Sequence, residues 1–121
     1  MSRPWLLPLG SAATRAADAG TRLGAKAAGL ARARHAGLPV LPGWVVPVAA
    51  GAAALGAGQA ELRAGRPAAA RRAVLSQPVH PGLAGALHAA VTGLGGRVIV
   101  RSSSPLEADG RWTGAFSSVA V

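Results

Sequence analysis

The sequence predicts a mixed α+β domain, and three observations support this prediction. Short runs rich in β-branched residues, such as residues 98–100, alternate with alanine-rich stretches of helical periodicity. Prolines and glycines separate these stretches at positions where helices commonly begin and end. The length of 121 residues is sufficient for one domain and no more. We therefore expect helices and strands packed in layers around one core.

The N-terminal part is expected to contain two strands and one helix of about three turns. Residues 5–7 precede Pro8 and predict a short edge strand, because proline is tolerated at a sheet edge but not in a central ladder. Leu23, Ala27, Leu30 and Ala31 share one helical face, and the helix they define is expected to end at Gly37. Residues 44–46 predict a second strand.

The C-terminal part is expected to be helical until a final strand. Helices are expected over residues 48–55 and 59–64, then from Pro67 to about residue 76, and from Pro81 to Gly93. Residues 97–101 predict a buried strand that delivers Arg101 and three serines to one end of a sheet.

The charge is strongly basic. Thirteen lysines and arginines oppose four acidic residues, which gives a formal net charge of +9. Such a balance permits nucleic acid or another polyanion as a partner. However, the arginines are dispersed, with no run longer than Arg71-Arg72, aromatic residues are few, and biased coding also produces such a composition. We therefore do not expect nucleic acid as a partner.

Several classes of function are excluded or disfavoured. The chain has no cysteine, which excludes disulfides, zinc–thiolate sites and thiol catalysis. The three histidines share no metal-binding spacing, and the serines at 102–104 lack the glycine-flanked elbow of acyl-transfer enzymes. Residues 36–60 are uncharged, but three prolines interrupt them, so we expect no membrane span and a soluble, cytoplasmic chain.

Two short segments carry the candidate chemistry. Lys26 lies near the N-terminal end of a predicted helix, where unsatisfied amides and the helix dipole attract anions. Arg101 ends a predicted strand and is followed by three hydroxyl side chains. A guanidinium group matches two phosphate oxygens at once, so this set is typical of phosphate binding. Neither segment has the spacing of a P-loop.

The same segments resemble the N-terminal nucleotide-binding domain of the pyruvate phosphate dikinase and phosphoenolpyruvate synthase family. Residues 23–30 (LGAKAAGL) and 36–46 (AGLPVLPGWVV) are similar to the family patterns VGGKxANL and AG(I/L)PVPPGFVV. Residues 98–104 (VIVRSSS), the acidic Glu107 and residues 112–116 (WTGAF) are similar to VAVRSSA, an acidic loop and FAGxF. The order and separation of the two blocks also fit the family.

The resemblance implies an ATP-grasp fold that binds ATP and Mg²⁺. It implies that Lys26, Arg101 and Ser102 contact the ATP phosphates, and that Thr113 and Gly114 belong to a loop that covers the nucleotide. The family transfers a phosphoryl group from ATP to a histidine on a separate domain and then to pyruvate or another acceptor. Electrostatic clamping of the phosphates is the physical basis of such chemistry.

The chain also departs from the family. Gly29 stands in place of an asparagine, Ala25 in place of the second glycine, and Ser104-Pro105 in place of Ala-Thr. We expect residues 1–121 to be an incomplete N-terminal portion of the ATP-grasp domain. The second half with the Mg²⁺ ligands, the phosphohistidine domain and the substrate domain are expected to be missing partners, so this portion alone is not expected to be catalytic.

Three alternatives remain open at this point. The rifampicin-phosphorylating enzymes share this domain, and the residues do not separate that branch from the dikinases. A degenerate relative would keep the fold without turnover. A non-catalytic basic module that binds a polyanion would explain the net charge without the family resemblance.

Overall fold

The computed structural model describes residues 4–105 and 118–121, and its mixed helix and strand content confirms the α+β prediction. In the described residues the helices are α1 (Ala19–Leu23), α2 (Ala25–His35), α3 (Ala52–Arg63), α4 (Pro67–Leu75) and α5 (Pro81–Gly93). The strands are β1 (Leu7–Pro8), β2 (Trp44–Val45), β3 (Ile99–Arg101) and β4 (Ser118–Ala120). Short 3-10 turns at Ala12–Arg15 and Val48–Gly51 precede α1 and α3.

Strands β1 and β2 form a two-stranded antiparallel sheet, which confirms the predicted edge strand near the N-terminus. Leu7 pairs with Val45, and Pro8 pairs with Trp44. The amide of Leu9 extends the pairing by donating to the carbonyl of Gly43 at 2.9 Å. Pro8 lies in a two-stranded sheet, where its lack of an amide proton is tolerated.

The main core is built from small side chains on α1, α2 and β2. Ala19, Leu23, Ala27, Ala28 and Val45 form its buried cluster, and Leu7 and Leu9 pack against it. Leu23 belongs to α1 and not to the helix of Ala27, because Gly24, with φ of 89°, separates α1 from α2. The apolar helical face that the sequence predicts is therefore shared between two consecutive helices. The predicted helix end at Gly37, which has a φ of 87°, is confirmed, because α2 ends at His35.

Arginines stabilise the backbone around this core. Three guanidinium groups donate to carbonyl oxygens of nearby turns: Arg15 to Gly10 at 3.0 Å, Arg22 to Ala13 at 3.1 Å, and Arg34 to Val40 at 2.7 Å. Part of the positive charge of the chain is thus used to satisfy turn carbonyls that no strand or helix satisfies.

Helices α3 and α4 form a tight antiparallel hairpin. The sequence predicted two short helices here, separated near Gly56, but α3 runs without a break from Ala52 to Arg63. Its alanine content offsets the low helix propensity of Gly56. Gly58 is buried, and a Cβ atom at this position would lie 2.6 Å from Cγ2 of Val74 on α4. The absence of a side chain at Gly58 therefore allows the two helices to approach.

Strands β3 and β4 form a second antiparallel sheet, in which Arg101 pairs with Ser118. The prediction that this strand is buried is wrong. Ile99 is 59% exposed and Val100 is 57% exposed. A two-stranded ribbon has two faces and needs a covering layer to bury either of them, and the described part of the chain places no such layer over these residues.

Within residues 4–105 and 118–121, the helices are too short or too polar for any of them to cross a lipid bilayer.

The α3–α4 contact predicts opposite effects for two neighbouring glycines. Gly58→Ala should lower the free energy of unfolding by about 1 kcal/mol or more, because the new methyl group overlaps Val74. Gly56→Ala should raise it by about 0.5–1 kcal/mol, since this position has no neighbouring atom within 4 Å and alanine favours the helix. Urea unfolding monitored by circular dichroism measures both effects. Equal shifts in the two variants would contradict the close helix packing.

Candidate phosphate-binding site

The two segments that carry the candidate chemistry meet at Ser103. The Oγ atom of Ser103 donates a hydrogen bond to the carbonyl of Leu23 at 2.8 Å. The same atom accepts a hydrogen bond from the amide of Ala27 at 3.0 Å. One hydroxyl group therefore connects the last residue of α1 with the first turn of α2, across 80 and 76 positions of sequence.

A backbone hydrogen bond reinforces this connection. The amide of Ala25, the first residue of α2, donates to the carbonyl of Ser104 at 3.1 Å. Ser102 and Ser104 are both partly buried. The serine segment after β3 is therefore held against the start of α2 by main-chain and side-chain contacts together.

Gly24 is required where the two segments touch. A Cβ atom at this position would overlap the hydroxyl of Ser103 and would lie 2.5 Å from its carbonyl carbon. The φ angle of 89° also lies in the left-handed region, which side chains rarely adopt. Both the conformation and the space around Gly24 therefore demand glycine.

The sequence predicts unsatisfied amides at the start of α2, but two of these amides have hydrogen-bond partners in the fold. Ala25 donates its amide to Ser104, and Ala27 donates its amide to Ser103. The serine segment thus occupies positions that a bound anion would otherwise take. A phosphate group at this position would therefore have to contact side chains rather than these two amides.

The predicted site residues lie on both sides of the contact. Lys26 is the second residue of α2, is partly buried, and follows Gly24 by two positions. Arg101 is the last residue of β3, is exposed, and precedes Ser103 by two positions. Ser102 lies between Arg101 and Ser103 in the chain. Thr113 and Gly114 lie outside the described residues.

No carboxylate of the described residues pairs with Lys26 or Arg101. Asp18 forms an ion pair with Arg22 at 2.9 Å, and Glu61 forms one with Arg66 at 2.6 Å. These are the two acidic residues in the described ranges. Within the described ranges, Lys26 and Arg101 thus have no acidic side chain as an ion-pair partner.

Residues 4–105 and 118–121 contain no group of three or more histidine, aspartate or glutamate side chains that could hold a metal ion. His80 has a structural role: its Nδ1 atom accepts a hydrogen bond from the amide of Gly82 at 2.9 Å, which caps α5. The ring of His80 also lies against that of Trp5, with centroids 4.5 Å apart. Asp18 and Glu61, the side-chain carboxylates of the described ranges, are each paired with an arginine instead.

A separate groove of about 490 Å³ lies between the N-terminal segment, β2 and α5. Its lining is apolar and includes Trp5, Leu6, Trp44, Ala90 and Leu94. The groove shares no lining residue with the candidate site, and it has no charged lining residue. It is therefore unsuited to binding phosphate groups.

Comparisons of the chain with protein-family models, curated proteins and solved structures gave no match. The interpretation of the site therefore depends on the residues and their contacts. The sequence pattern indicated Arg101 and Lys26 as candidate cations but gave no role for Ser103 or Gly24. Three consecutive serines after a predicted strand indicated that this segment has a role other than core packing. The hydrogen-bond partners of Ser103 are seen only in the fold.

Two glycines with similar backbone conformations provide a matched test of the contact. Gly24→Ala and Gly37→Ala each place alanine at a φ of nearly 90°, which should cost about 1–2 kcal/mol of stability. Gly37 has no atom within 4 Å of the added methyl group, whereas Gly24 faces Ser103. In urea unfolding, Gly24→Ala should therefore be the more destabilising variant by at least about 1 kcal/mol. Equal losses would show that Ser103 does not contact Gly24.

Removal of the Ser103 hydroxyl tests the hydrogen bonds directly. Ser103→Ala should lower the free energy of unfolding by about 1–2 kcal/mol, because it leaves the Ala27 amide and the Leu23 carbonyl without this partner. Hydrogen exchange of the Ala27 amide should become faster. Ser76→Ala is the control, since this exposed hydroxyl bonds only within its own helix end and its loss should change stability by less than about 0.5 kcal/mol. An unchanged exchange rate at Ala27 would contradict the bridge.

Proposed function

We propose that this chain is the part of a phosphotransferase that binds the phosphates of ATP. The enzyme would resemble pyruvate phosphate dikinase and phosphoenolpyruvate synthase, and the domain would have an ATP-grasp fold. The observation that carries the proposal is the contact of Ser103 with both Leu23 and Ala27. This contact joins the two segments whose residues resemble that family.

The proposed binding mechanism uses charge and shape. Arg101 would bind two phosphate oxygens through its planar guanidinium group, and Lys26 would add a second positive charge from α2. The Ser102 hydroxyl would donate to a further oxygen. Because the Ser103 bridge is part of the folded chain, the two cations would be held in place before ATP binds, which reduces the entropy lost on binding.

The chemistry of phosphoryl transfer would come from residues outside this site. When bound with ATP, Mg²⁺ neutralises phosphate charge, and the described residues contain no group of three or more histidine, aspartate or glutamate side chains that could hold it. The resemblance places the metal ligands, the acceptor histidine and the pyruvate site in other parts of the enzyme. His80 caps α5 and is not proposed as the acceptor. Pyruvate and rifampicin both remain final acceptors consistent with this site.

The proposal is tested by titration calorimetry with ATP, using the full-length protein that the gene encodes. Arg101→Ala and Lys26→Ala should each weaken ATP binding by about 10-fold or more, which corresponds to a lost charge-assisted hydrogen bond of about 1.5–3 kcal/mol. Two matched controls remove an exposed positive charge from nearby positions: Arg32→Ala on α2 and Arg97→Ala just before β3.

The controls should change ATP affinity by less than about 3-fold, because neither residue belongs to the proposed site and salt screens the effect of an exposed charge that does not contact the ligand. A product that does not bind ATP would overturn the proposal. It would also fail if Arg101→Ala left the affinity unchanged, or if the controls lost as much affinity as the site variants.

A further inference from the structure

The N-terminal end of α5 is capped by a histidine. His80 is the N-cap residue of this helix, and its Nδ1 atom accepts a hydrogen bond from the amide of Gly82 at 2.9 Å. Gly82 is the second residue of α5 and follows Pro81, which has no amide proton that needs a partner. The imidazole ring therefore does what a serine, threonine, asparagine or aspartate side chain usually does at the start of a helix.

An indole ring fixes the position of this histidine. The ring of Trp5 lies against the imidazole ring, with centroids 4.5 Å apart and 32° between the ring planes. A Cβ atom at Gly82 would overlap Nε1 of Trp5 and would lie 3.2 Å from Nδ1 of His80. Because Gly82 has no side chain, the two rings and the first turn of α5 can all meet at this point.

Helix α5 depends on its cap because it has little support from packing. Ala90 is the one buried residue among the 13 residues of the helix. The helix also contains Gly82, Gly85 and Gly93, and glycine has a low helix propensity. A helix of this length that buries little of its surface is only marginally stable. The capping hydrogen bond therefore contributes a large share of the stability of the first turn.

Capping through Nδ1 requires a neutral imidazole ring. A protonated ring carries hydrogen on both nitrogens, so it has no lone pair with which to accept the Gly82 amide. A positive charge at the N-terminal end of a helix is also opposed by the helix dipole. Histidine is the side chain that ordinarily changes its charge between about pH 5 and pH 8. His80 is exposed, so protons reach it without any opening of the fold.

The contacts of His80 within the described ranges place no other charge beside it. Trp5 and Gly82 have no group that titrates near neutral pH. Neither ion pair of the described residues involves His80. A protonated imidazole can still stack on the indole of Trp5. Protonation therefore removes the hydrogen bond to Gly82 rather than the contact between the two rings.

The order of α5 also affects the apolar groove. Four residues of the helix, from Ala86 to Gly93, line one side of the groove. Trp5 lines it from the N-terminal segment and also contacts His80. Loss of the cap therefore acts on the wall of the groove that α5 forms.

We propose that His80 is a pH-sensitive cap that holds the first turn of α5 at neutral pH and releases it in mild acid, which loosens the α5 wall of the apolar groove. This inference goes beyond the proposed ATP site and uses none of the residues of that site. The sequence pattern gave no role for His80, and its capping geometry is seen only in the fold.

Hydrogen exchange of the whole chain at pH 7.5 and pH 5.5 tests the proposal. The amides of Gly82 and Ala86 are followed by NMR as protection factors, which correct for the pH dependence of intrinsic exchange. Both protection factors should fall by about 5-fold at pH 5.5, because a lost cap frees the first amide directly and unwinds the turn to which Ala86 donates.

Two histidine variants separate the cap from general effects of acid. Asparagine caps helices well and does not titrate, so His80→Asn should keep both amides protected at both pH values. His88→Asn is the matched control, since His88 is exposed and lies in the same helix, away from the cap. This control should retain the pH dependence of the unaltered chain.

Urea unfolding gives an independent measurement of the same cap. As the pH falls from 7.5 to 5.5, the unfolding midpoint of the unaltered chain should decrease relative to that of His80→Asn. The sign follows because the hydrogen bond exists while the ring is neutral and is lost on protonation. The difference between His88→Asn and the unaltered chain should stay constant.

Three results would overturn the proposal. The first is a Gly82 amide without protection at pH 7.5, which would mean that His80 does not cap the helix. The second is equal protection of Gly82 and Ala86 at both pH values in the unaltered chain. The third is a pH dependence that persists in His80→Asn or disappears in His88→Asn, because a different group would then be responsible.

Discussion

The hydroxyl of Ser103 is the interaction on which the organisation of the candidate site depends. It connects the end of α1 to the start of α2 from a segment almost eighty residues later in the chain. The contact is possible only because Gly24 has no side chain and adopts a left-handed conformation. Together with the hydrogen bond from the Ala25 amide to Ser104, it holds the serine segment against the start of the helix that carries Lys26.

The small side chains of the core also allow chain segments to approach closely. Ala19, Ala27 and Ala28 surround Leu23 and allow α1 and α2 to pack closely under β2. Such a core buries little apolar area per residue, so its contribution to stability is modest. Arginines that bind turn carbonyls, such as Arg34 at Val40, compensate by satisfying backbone groups. Arg15 and Arg22 donate to turn carbonyls in the same way.

The ATP proposal depends on how positive charge is placed around the Ser103 contact. Lys26 adjoins Ala27 in α2, and Arg101 precedes Ser103 by two positions at the end of β3. Two such cations suit the compact charge of a nucleotide phosphate group. The apolar groove beside Trp5 and Trp44 shares no lining residue with this site.

The sequence by itself determined the α+β class, the helix end at Gly37, the end of a helix near residue 64, the helix starts at Pro67 and Pro81, and a short edge strand near Pro8. Local backbone chemistry decides these features: proline restricts the preceding turn, and glycine permits the left-handed conformation that ends a helix. Lys26 and Arg101 were also recognisable as a pair of candidate cations. Only the tertiary structure decided that Ser103 and Ser104 accept hydrogen bonds from two first-turn amides of α2, and that β3 is exposed. These features depend on which segments pack together, and residue spacing along the chain carries no information about contacts across such distances.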